Sequence, residues 1–361
     1  MSLAVTGGGL SSSSRRNALP PDSEGGEAGA MLSALAGELS RLDGFRDRHP
    51  LAPASHSQGV FSCLFELQSL LSALSGQPEV SVAPLDCEQA RLAGLLMLRA
   101  RQRDIGEPCG PLALGVHDRE AWVRGARRAG FQTVGWEVGM ELPERAVAVV
   151  VDAEACADLR LGQDTPVFVD GASAGPLLPA LMPELCRVDL ISLDFAAQFD
   201  CPAPAAAAIA ASERLAPYLP LPLVGYDGEQ YSLNSSHRQK SIGRLAAYDG
   251  NVPGLLNALV RIRSLGAEGL ARRVTEAMLH RGYVAARMQA AGVDLVTTRG
   301  AEVVVRPRVP AQAIHSALRR EGVPCRLLPM EQLALRCAGP GNTVEAERQL
   351  EFIIATLSAR D

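Results

Sequence analysis

Between Pro111 and Asp200 the chain alternates short, wholly apolar runs with stretches of helical periodicity, and this alternation restricts its fold more than any other feature. Continuous apolar runs are typical of strands buried on both faces, and helical crossovers between them favour parallel pairing. The sequence therefore predicts an α/β fold with a doubly wound, mainly parallel sheet, whose ligands lie at the carboxyl ends of the strands. The predicted strands are residues 112–116, 131–136, 146–151, 167–169 and 188–193, and the clearest crossover helix is 119–128.

Composition and periodicity divide the rest of the chain. Residues 1–28 are rich in Gly, Ser and Pro and are predicted to form a disordered tail. Residues 29–290 are predicted to form the large domain, with N-terminal helices at about 61–75 and 88–103 and a strongly helical stretch at 254–291. Residues 291–361 then read as a smaller α+β domain, with strands at 293–297 and 302–305 and helices at 311–320 and 344–357.

The overall charge excludes several classes of partner. The chain has 35 basic and 40 acidic residues, a net charge of −5, so it has no field that would gather nucleic acid or an anionic membrane. Its longest alanine-rich run, residues 202–211, is about half of what a bilayer-spanning helix needs. The eight cysteines form no C-x-x-C pair, so we expect reduced thiols and no metal site. A cytoplasmic protein with a small-molecule or protein partner is expected.

The basic residues are almost all arginines. Lys240 is the only lysine, so the remaining (35 − 1) 34 are arginines. Any chemistry that needs a lysine amine has one candidate in this chain.

Three segments have a distinctive sequence and follow one another in a distinctive order. They are residues 49–100, which include Phe65-Glu66-Leu67-Gln68 and Leu92-Ala93-Gly94; residues 169–172, Val-Asp-Gly-Ala; and residues 240–270, which begin Lys240-Ser241-Ile242-Gly243-Arg244. Together they resemble the P-protein of the glycine cleavage system, a pyridoxal-phosphate glycine decarboxylase (glycine dehydrogenase), in the carboxyl half that many bacteria make as a separate subunit 2. The resemblance covers roughly residues 45–290 and is poor over the C-terminal 70. It implies a fold-type-I pyridoxal-phosphate transferase architecture, in agreement with the strand pattern.

Two residues stand at family positions that face the cofactor. The resemblance assigns Asp170 to the pyridine nitrogen, which an acidic partner keeps protonated; the alternative is a strand-end Asp that caps a turn. His117 is the one residue kept from a family loop that begins with histidine. It faces the cofactor pocket if the resemblance holds there, and is otherwise a satisfied or exposed histidine.

The chain departs from the family at three points of the same pocket. The family's Schiff-base lysine follows a histidine, and the aligned pair here is Ala196-Ala197. The phosphate segment corresponds to residues 86–91, which have no glycine; Asp86 and Gln89 have the spacing of a capping box, and Glu88 adds a carboxylate, so this helix is predicted to repel a phosphate. Residues 200–204 and an alanine tract replace a glycine-rich run, which stiffens a loop near the cofactor.

Lys240 lies some 40 residues beyond the aligned lysine position. The resemblance places its segment near the active site, whereas a surface or interface contact is the structural alternative. The predicted cofactor-binding residues are thus Asp170, His117 and Lys240. The cofactor implied is pyridoxal 5'-phosphate, and the departures leave open whether this chain binds it.

Three hypotheses follow for function. The first is a homologue of P-protein subunit 2 that lacks the lysine and acts as a non-catalytic or regulatory subunit, with a subunit 1 chain or a second copy as partner and the lipoyl carrier protein as a further one. The second is an active pyridoxal-phosphate glycine decarboxylase in which Lys240 has an unexpected catalytic role. The third is a binding module that uses the altered cleft for another small molecule.

Overall fold

The computed structural model of the 361-residue chain describes fourteen stretches of it. They are residues 27–42, 45, 49, 52–116, 118–162, 164–176, 187–202, 205–234, 239–247, 249–321, 323, 325–328, 330–336 and 343–358. The predicted tail at 1–28 lies outside them except for its last two residues, which begin a helix.

A seven-stranded sheet forms the centre of the molecule, in the order β1-β7-β6-β5-β4-β2-β3. Strands β2 to β6 pair in parallel, and β7 pairs antiparallel with both β6 and β1. Every residue of β4, β5 and β7 is buried, as a sheet covered on both faces requires. The strands are β1 Glu79–Ser81, β2 Leu112–Gly115, β3 Thr133–Gly135, β4 Ala148–Asp152, β5 Val167–Asp170, β6 Leu190–Asp194 and β7 Ala207–Ala211.

Helices cover both faces of this sheet, which confirms the doubly wound fold. One face carries a core from α2 that includes Phe61, Leu64 and Leu67. The other carries a core from α3 and α4 that includes Leu95 and Trp122. The first six helices are α1 Glu27–Leu39, α2 Gln58–Ser75, α3 Cys87–Asp104, α4 Arg119–Arg128, α5 Gly171–Ala174 and α6 Phe195–Phe199. The hairpin of β8 Leu223–Tyr226 and β9 Tyr231–Asn234 packs against α2.

A second, antiparallel sheet of order β10-β11-β13-β12 follows a long helix, α7 Val252–Ala290. Gly266 interrupts α7 with φ 61°, a left-handed conformation that glycine adopts at little cost. Before and just after this break α7 packs on the large sheet, and its last turns join the core of the small one. The small unit consists of β10 Asp294–Arg299, β11 Glu302–Arg306, α8 Ala311–Arg320, β12 Cys325–Leu328, β13 Gln332–Arg336 and α9 Thr343–Ser358.

Each element predicted from the sequence occurs in the structure, but six of the described strands were not predicted. Residues 207–211, which we expected to belong to a stiff alanine-rich loop, form the antiparallel strand β7, between β1 and β6. Strands β1, β8, β9, β12 and β13 were not predicted either. The exact boundary between the two predicted domains stays a prediction, since α7 contributes to both cores. No described helix is long and apolar enough to cross a membrane.

Candidate functional site

Asp170 is the last residue of β5, at the carboxyl end of the parallel strands where ligands of such sheets lie. It is 3% exposed, and in register it lies between Asp152 on β4 and Ser192 on β6. Its Oδ1 accepts hydrogen bonds from the Ser192 hydroxyl at 3.4 Å and from the backbone N–H of Ala172 at 3.3 Å. The strand end therefore holds a buried carboxylate in a fixed orientation.

The other carboxylate oxygen of Asp170 accepts from two side chains of helices α3 and α4. The Arg91 Nη2 lies 2.8 Å from Oδ2, and the Trp122 Nε1 lies 3.1 Å from it. The Arg91 guanidinium also lies over the Trp122 ring, 5.6 Å from its centroid. Both oxygens of Asp170 are thus bonded to groups of the protein itself.

Burial and charge act against each other in this cluster. Burial raises the pKa of the Asp170 carboxyl, the Arg91 guanidinium opposes this shift, and the carboxylate of Asp152 adds to it. Burial lowers the pKa of Arg91, but the Asp170 carboxylate reverses this and leaves the pKa above its ordinary value. Since an arginine in a protein keeps its proton, the cluster contains a permanent cation next to a buried carboxylate.

The first turn of α3 satisfies its own backbone donors. The Asp86 Oδ1 accepts from the Gln89 N–H at 2.8 Å, as its spacing predicted. The Gln89 Oε1 in turn accepts from the N–H of Leu85, one residue before the position that a standard capping box uses. With Glu88 exposed in the same turn, this helix start carries carboxylates where a phosphate would need free N–H groups.

The aligned lysine position lies in the short helix α6. Asp194, at the end of β6, accepts from the backbone N–H groups of Ala196 and Ala197 and so caps this helix. Ala197 is 4% exposed. The next residue, Gln198, donates to the carbonyl of Gly171, while its Oε1 is buried without a partner among the described residues. The residue that the sequence analysis aligned with the family lysine thus has a small, buried side chain.

The structure does not bring Lys240 to this cluster. Its ammonium pairs with Asp104 Oδ2 at 2.7 Å, and Tyr218 donates to the same oxygen. Asp104 is the last residue of α3, thirteen positions after Arg91, and at 1.5 Å per residue the two ends lie about 20 Å apart. Lys240 lines an open pocket of about 600 Å³ with Glu79 and Glu213. Within this chain Lys240 thus makes a surface contact, and its predicted role at the cofactor stays a prediction.

His117 lies outside the described residues, so its predicted place near the cofactor stays a prediction. The residues that follow Lys240 hold a turn: Arg244 pairs with the buried Asp249 at 2.8 Å, and Asn251 caps the start of α7. Gly250, at φ 106°, leaves no room for a Cβ, which would lie 2.5 Å from the carbonyl oxygen of Val82. No group of three or more residues that could hold a metal ion occurs among the described residues.

The residues around Asp170 can be compared with what pyridoxal phosphate requires. The cofactor needs a carboxylate free to bond its ring nitrogen, a lysine amine and a site for its phosphate. Here the carboxylate is bonded to Arg91 and Trp122, the residue aligned with the family lysine in the sequence analysis is Ala197, and the start of α3 is capped by Asp86. As they stand, these residues do not fit the cofactor.

Comparison with curated proteins identifies the relatives of this chain. It is 31% identical over 290 residues to a protein of Thioalkalivibrio sulfidiphilus and 32% identical over 298 residues to one of Methylococcus capsulatus, each named probable glycine dehydrogenase (decarboxylating) subunit 2. Over the aligned region, the chain is homologous to proteins named glycine dehydrogenase (decarboxylating) subunit 2. The alignments cover 71–72% of this chain but only 58–59% of the relatives, so the chain spans less than two thirds of their length. No family model matches.

Solved structures show the same fold. A glycine decarboxylase (P-protein) of the glycine cleavage system in inhibitor-bound form matches with a TM-score of 0.68 and 20% identity, over 91% of this chain and 82% of that one. Oryza sativa TDC with PLP and tryptamine matches with a TM-score of 0.57 and 14% identity, over 94% and 82%. These neighbours confirm the fold-type-I pyridoxal-phosphate architecture that the resemblance implied.

Arg91 and Trp122, the two side chains that donate hydrogen bonds to Asp170, were not among the predicted site residues. Residue 91 was considered only as the last residue of the phosphate segment, which has no glycine. The available signal was a charged residue in the middle of an apolar helix face, since Ala90, Ala93 and Gly94 are all buried. An arginine on such a face needs a buried carboxylate, and Asp170 was the only strand-end acid already singled out.

Proposed function

We propose that this chain is a non-catalytic or regulatory homologue of P-protein subunit 2 that has lost lysine-dependent glycine decarboxylation. One observation carries the proposal: the carboxylate at the family position for the ring nitrogen accepts from Arg91 and Trp122 instead. A carboxylate bonded in this way is not available to a ring nitrogen unless both side chains move.

The position of the single lysine supports the same proposal. Imine chemistry needs an amine at the cofactor's aldehyde. The amine of Lys240 is bonded to Asp104 at the end of α3, about 20 Å along that helix from Arg91, which pairs with Asp170. Ala197 offers no amine, and Asp194 uses its carboxylate to cap α6. Decarboxylation by this chain would require Lys240 and its segment to cross the molecule.

We further propose a partner of the P-protein type, either a subunit 1 chain or a second copy, with the lipoyl carrier protein as a further contact and the cytoplasm as the location. The buried first third of α7 does not serve this purpose, since Leu255, Leu256 and Leu259 pack in the core. Later in the same helix, Met278 and Leu279 are 49% and 69% exposed, which supports an interface there.

The decisive experiment treats the purified chain with pyridoxal phosphate and borohydride and then measures intact mass and peptides. The proposal expects no stoichiometric pyridoxyl adduct and no visible absorption of an internal aldimine. The matched control is Lys240→Ala, which shows how much adduct forms on the terminal amine alone. A stoichiometric adduct that is lost in Lys240→Ala would overturn the proposal in favour of an active enzyme.

A second measurement addresses the regulatory role. The chain is mixed with a subunit 1 chain, an active subunit 2 and the lipoyl carrier, and glycine decarboxylation is followed as its concentration rises. The proposal expects the rate to change although the chain alone gives none. If the rate does not change and size-exclusion chromatography shows no complex with subunit 1 or with a second copy, the regulatory part of the proposal is wrong.

A further inference from the structure

The contact between Arg91 and Asp170 differs from an ordinary ion pair in how it is built. The Arg91 side chain is 17% exposed and that of Asp170 is 4% exposed, so both groups have given up most of their hydration. The guanidinium donates to only one carboxylate oxygen, at 2.8 Å. Its Nε is buried and has no hydrogen-bond partner among the described residues.

An arginine placed for its hydrogen bonds alone would use its fork in a bidentate contact. Arg91 instead has a buried Nε without a partner among the described residues, and its Cζ lies over an aromatic ring, 5.6 Å from the Trp122 centroid. Its position is thus that of a planar, nitrogen-containing cation held between a ring face and a carboxylate. Trp122 itself stands edge-on to Phe168, at a centroid distance of 4.9 Å, so the wall of this position is packed and rigid.

We propose that Arg91 is an internal substitute for a bound planar cation: it permanently fills a cation-binding position formed by Asp170 and Trp122, and removal of its side chain opens that position to small planar cations such as guanidinium or imidazolium. The native chain excludes such ligands because it supplies the cation itself. This inference rests on the proposed function, since it explains how the fold is stable without its family's cofactor.

The test is thermal unfolding of the full chain with and without added cations. Arg91→Ala leaves the buried Asp170 carboxylate unpaired, so its Tm is expected to fall well below that of the native chain. Added guanidinium or imidazolium should then raise the Tm of Arg91→Ala progressively with concentration, as a ligand that binds only the folded state does. Tetramethylammonium, which is not planar, should raise it little.

A matched control lies two turns later on the same helix. Arg99 also lies over an aromatic ring, 4.9 Å from the Phe131 centroid, and its buried Nε also has no partner among the described residues. Its hydrogen bonds, however, go to Gln102, Cys109 and the carbonyl of Gly130 and not to a carboxylate. Arg99→Ala should therefore show no stabilisation by guanidinium. The native chain should show none either.

Three outcomes would overturn the inference: a native Tm in Arg91→Ala, an equal response to guanidinium in Arg91→Ala and Arg99→Ala, or a response of Arg91→Ala that persists when Asp170→Asn is added. If Arg91→Ala yields no folded protein, the double variant Arg91→Ala/Asp170→Asn decides. The inference expects it to fold because no charge is left unpaired, whereas a pure packing role for Arg91 predicts that it stays unfolded.

The two proposals fail separately. A pyridoxyl adduct on Lys240 would overturn the proposed function but would leave the response of Arg91→Ala to cations unchanged, because Lys240 lies at the other end of α3. A native chain that guanidinium stabilises would overturn the substitute-cation inference and would say nothing about the chemistry of Lys240.

Discussion

The two ends of helix α3 carry the same kind of contact in opposite environments. Near its start, Arg91 and Asp170 pair at 2.8 Å with side chains 17% and 4% exposed. At its end, Lys240 and Asp104 pair at 2.7 Å with side chains 55% and 35% exposed. The two distances are nearly equal, so distance alone does not show which ion pair contributes more to the stability of the fold.

Burial makes the difference between them. Two buried charges stabilise the folded state only as long as both are present, because removal of one leaves the other without water or a partner. An exposed pair regains water when it is broken and is screened by salt. The buried end of α3 should therefore tolerate few substitutions, while the exposed end should tolerate many.

The strongest test of this contrast is Asp170→Ala. It removes the acceptor of both Arg91 and Trp122, and the free energy of unfolding is expected to fall by about 3–5 kcal/mol. Chemical denaturation of the variant gives the value directly. Asp104→Ala is the matched variant at the other end of the helix, and a similar loss in both variants would contradict the contrast.

The packing around the buried pair can be tested at Gly94, one turn after Arg91. A Cβ at this position would lie 2.3 Å from two ring carbons of Phe168, which also contacts Trp122. Gly94→Ala is expected to lower the free energy of unfolding by about 1–3 kcal/mol. In α7, Gly282 has no atom within 4 Å of its Cβ position, so Gly282→Ala should instead stabilise the chain by about 0.5–1 kcal/mol. Equal signs for the two variants would show that helix propensity, not packing, decides.

Substitution of the residue that caps the start of α3 is expected to have a smaller effect on stability. Asp86→Ala removes the side chain that accepts from the Gln89 N–H, and a loss of about 1 kcal/mol is expected in denaturant titrations. Asp86→Asn keeps a capping oxygen and should remain close to the native stability. If both variants behaved alike, the cap would not contribute to the buried end of the helix.

The smallest effect is expected at Lys240. The hydrogen bond from Lys240, and after it the one from Tyr218, lowers the pKa of Asp104 below its ordinary value. A lowered folded-state pKa contributes stability above the unfolded pKa, and this is lost as the pH falls through the folded one. Lys240→Met should move the pKa of Asp104 upward in an NMR titration and leave the Tm at neutral pH nearly unchanged. An unaltered Asp104 titration would mean that the contact does not form in solution.

The parts of the fold that sequence reasoning predicted are those with strong periodicity. Helix α4 has the predicted bounds, and α3 extends one residue beyond the prediction at each end. Strand β7 was missed because alanine is rare in strands, and its preference is overridden here by pairing with β1 and β6 on both sides. Strands β12 and β13 are short and lie in the region that matches the family poorly.

The site was predicted in part for a related reason. A pattern along the chain places Asp170 at a strand end, and it places Asp86 before a helix, because both facts are local. The partner of Asp170 is 79 residues away, and only the packing of α3 and α4 on the sheet brings Arg91 and Trp122 to it. A resemblance to a family predicts what a pocket once required, but it does not predict which side chain now fills it.

The part of α7 that follows Gly266 affects how the two sheets unfold. The helical stretch after it carries Leu270 in the core of the large sheet and Val284 and Met288 in the core of the small one, and Arg281 on the same stretch bonds both Glu154 and the carbonyl of Gly300. One continuous helical stretch thus packs in the cores of both sheets. We expect them to melt as a single cooperative unit, with one calorimetric peak whose enthalpy equals the van't Hoff value.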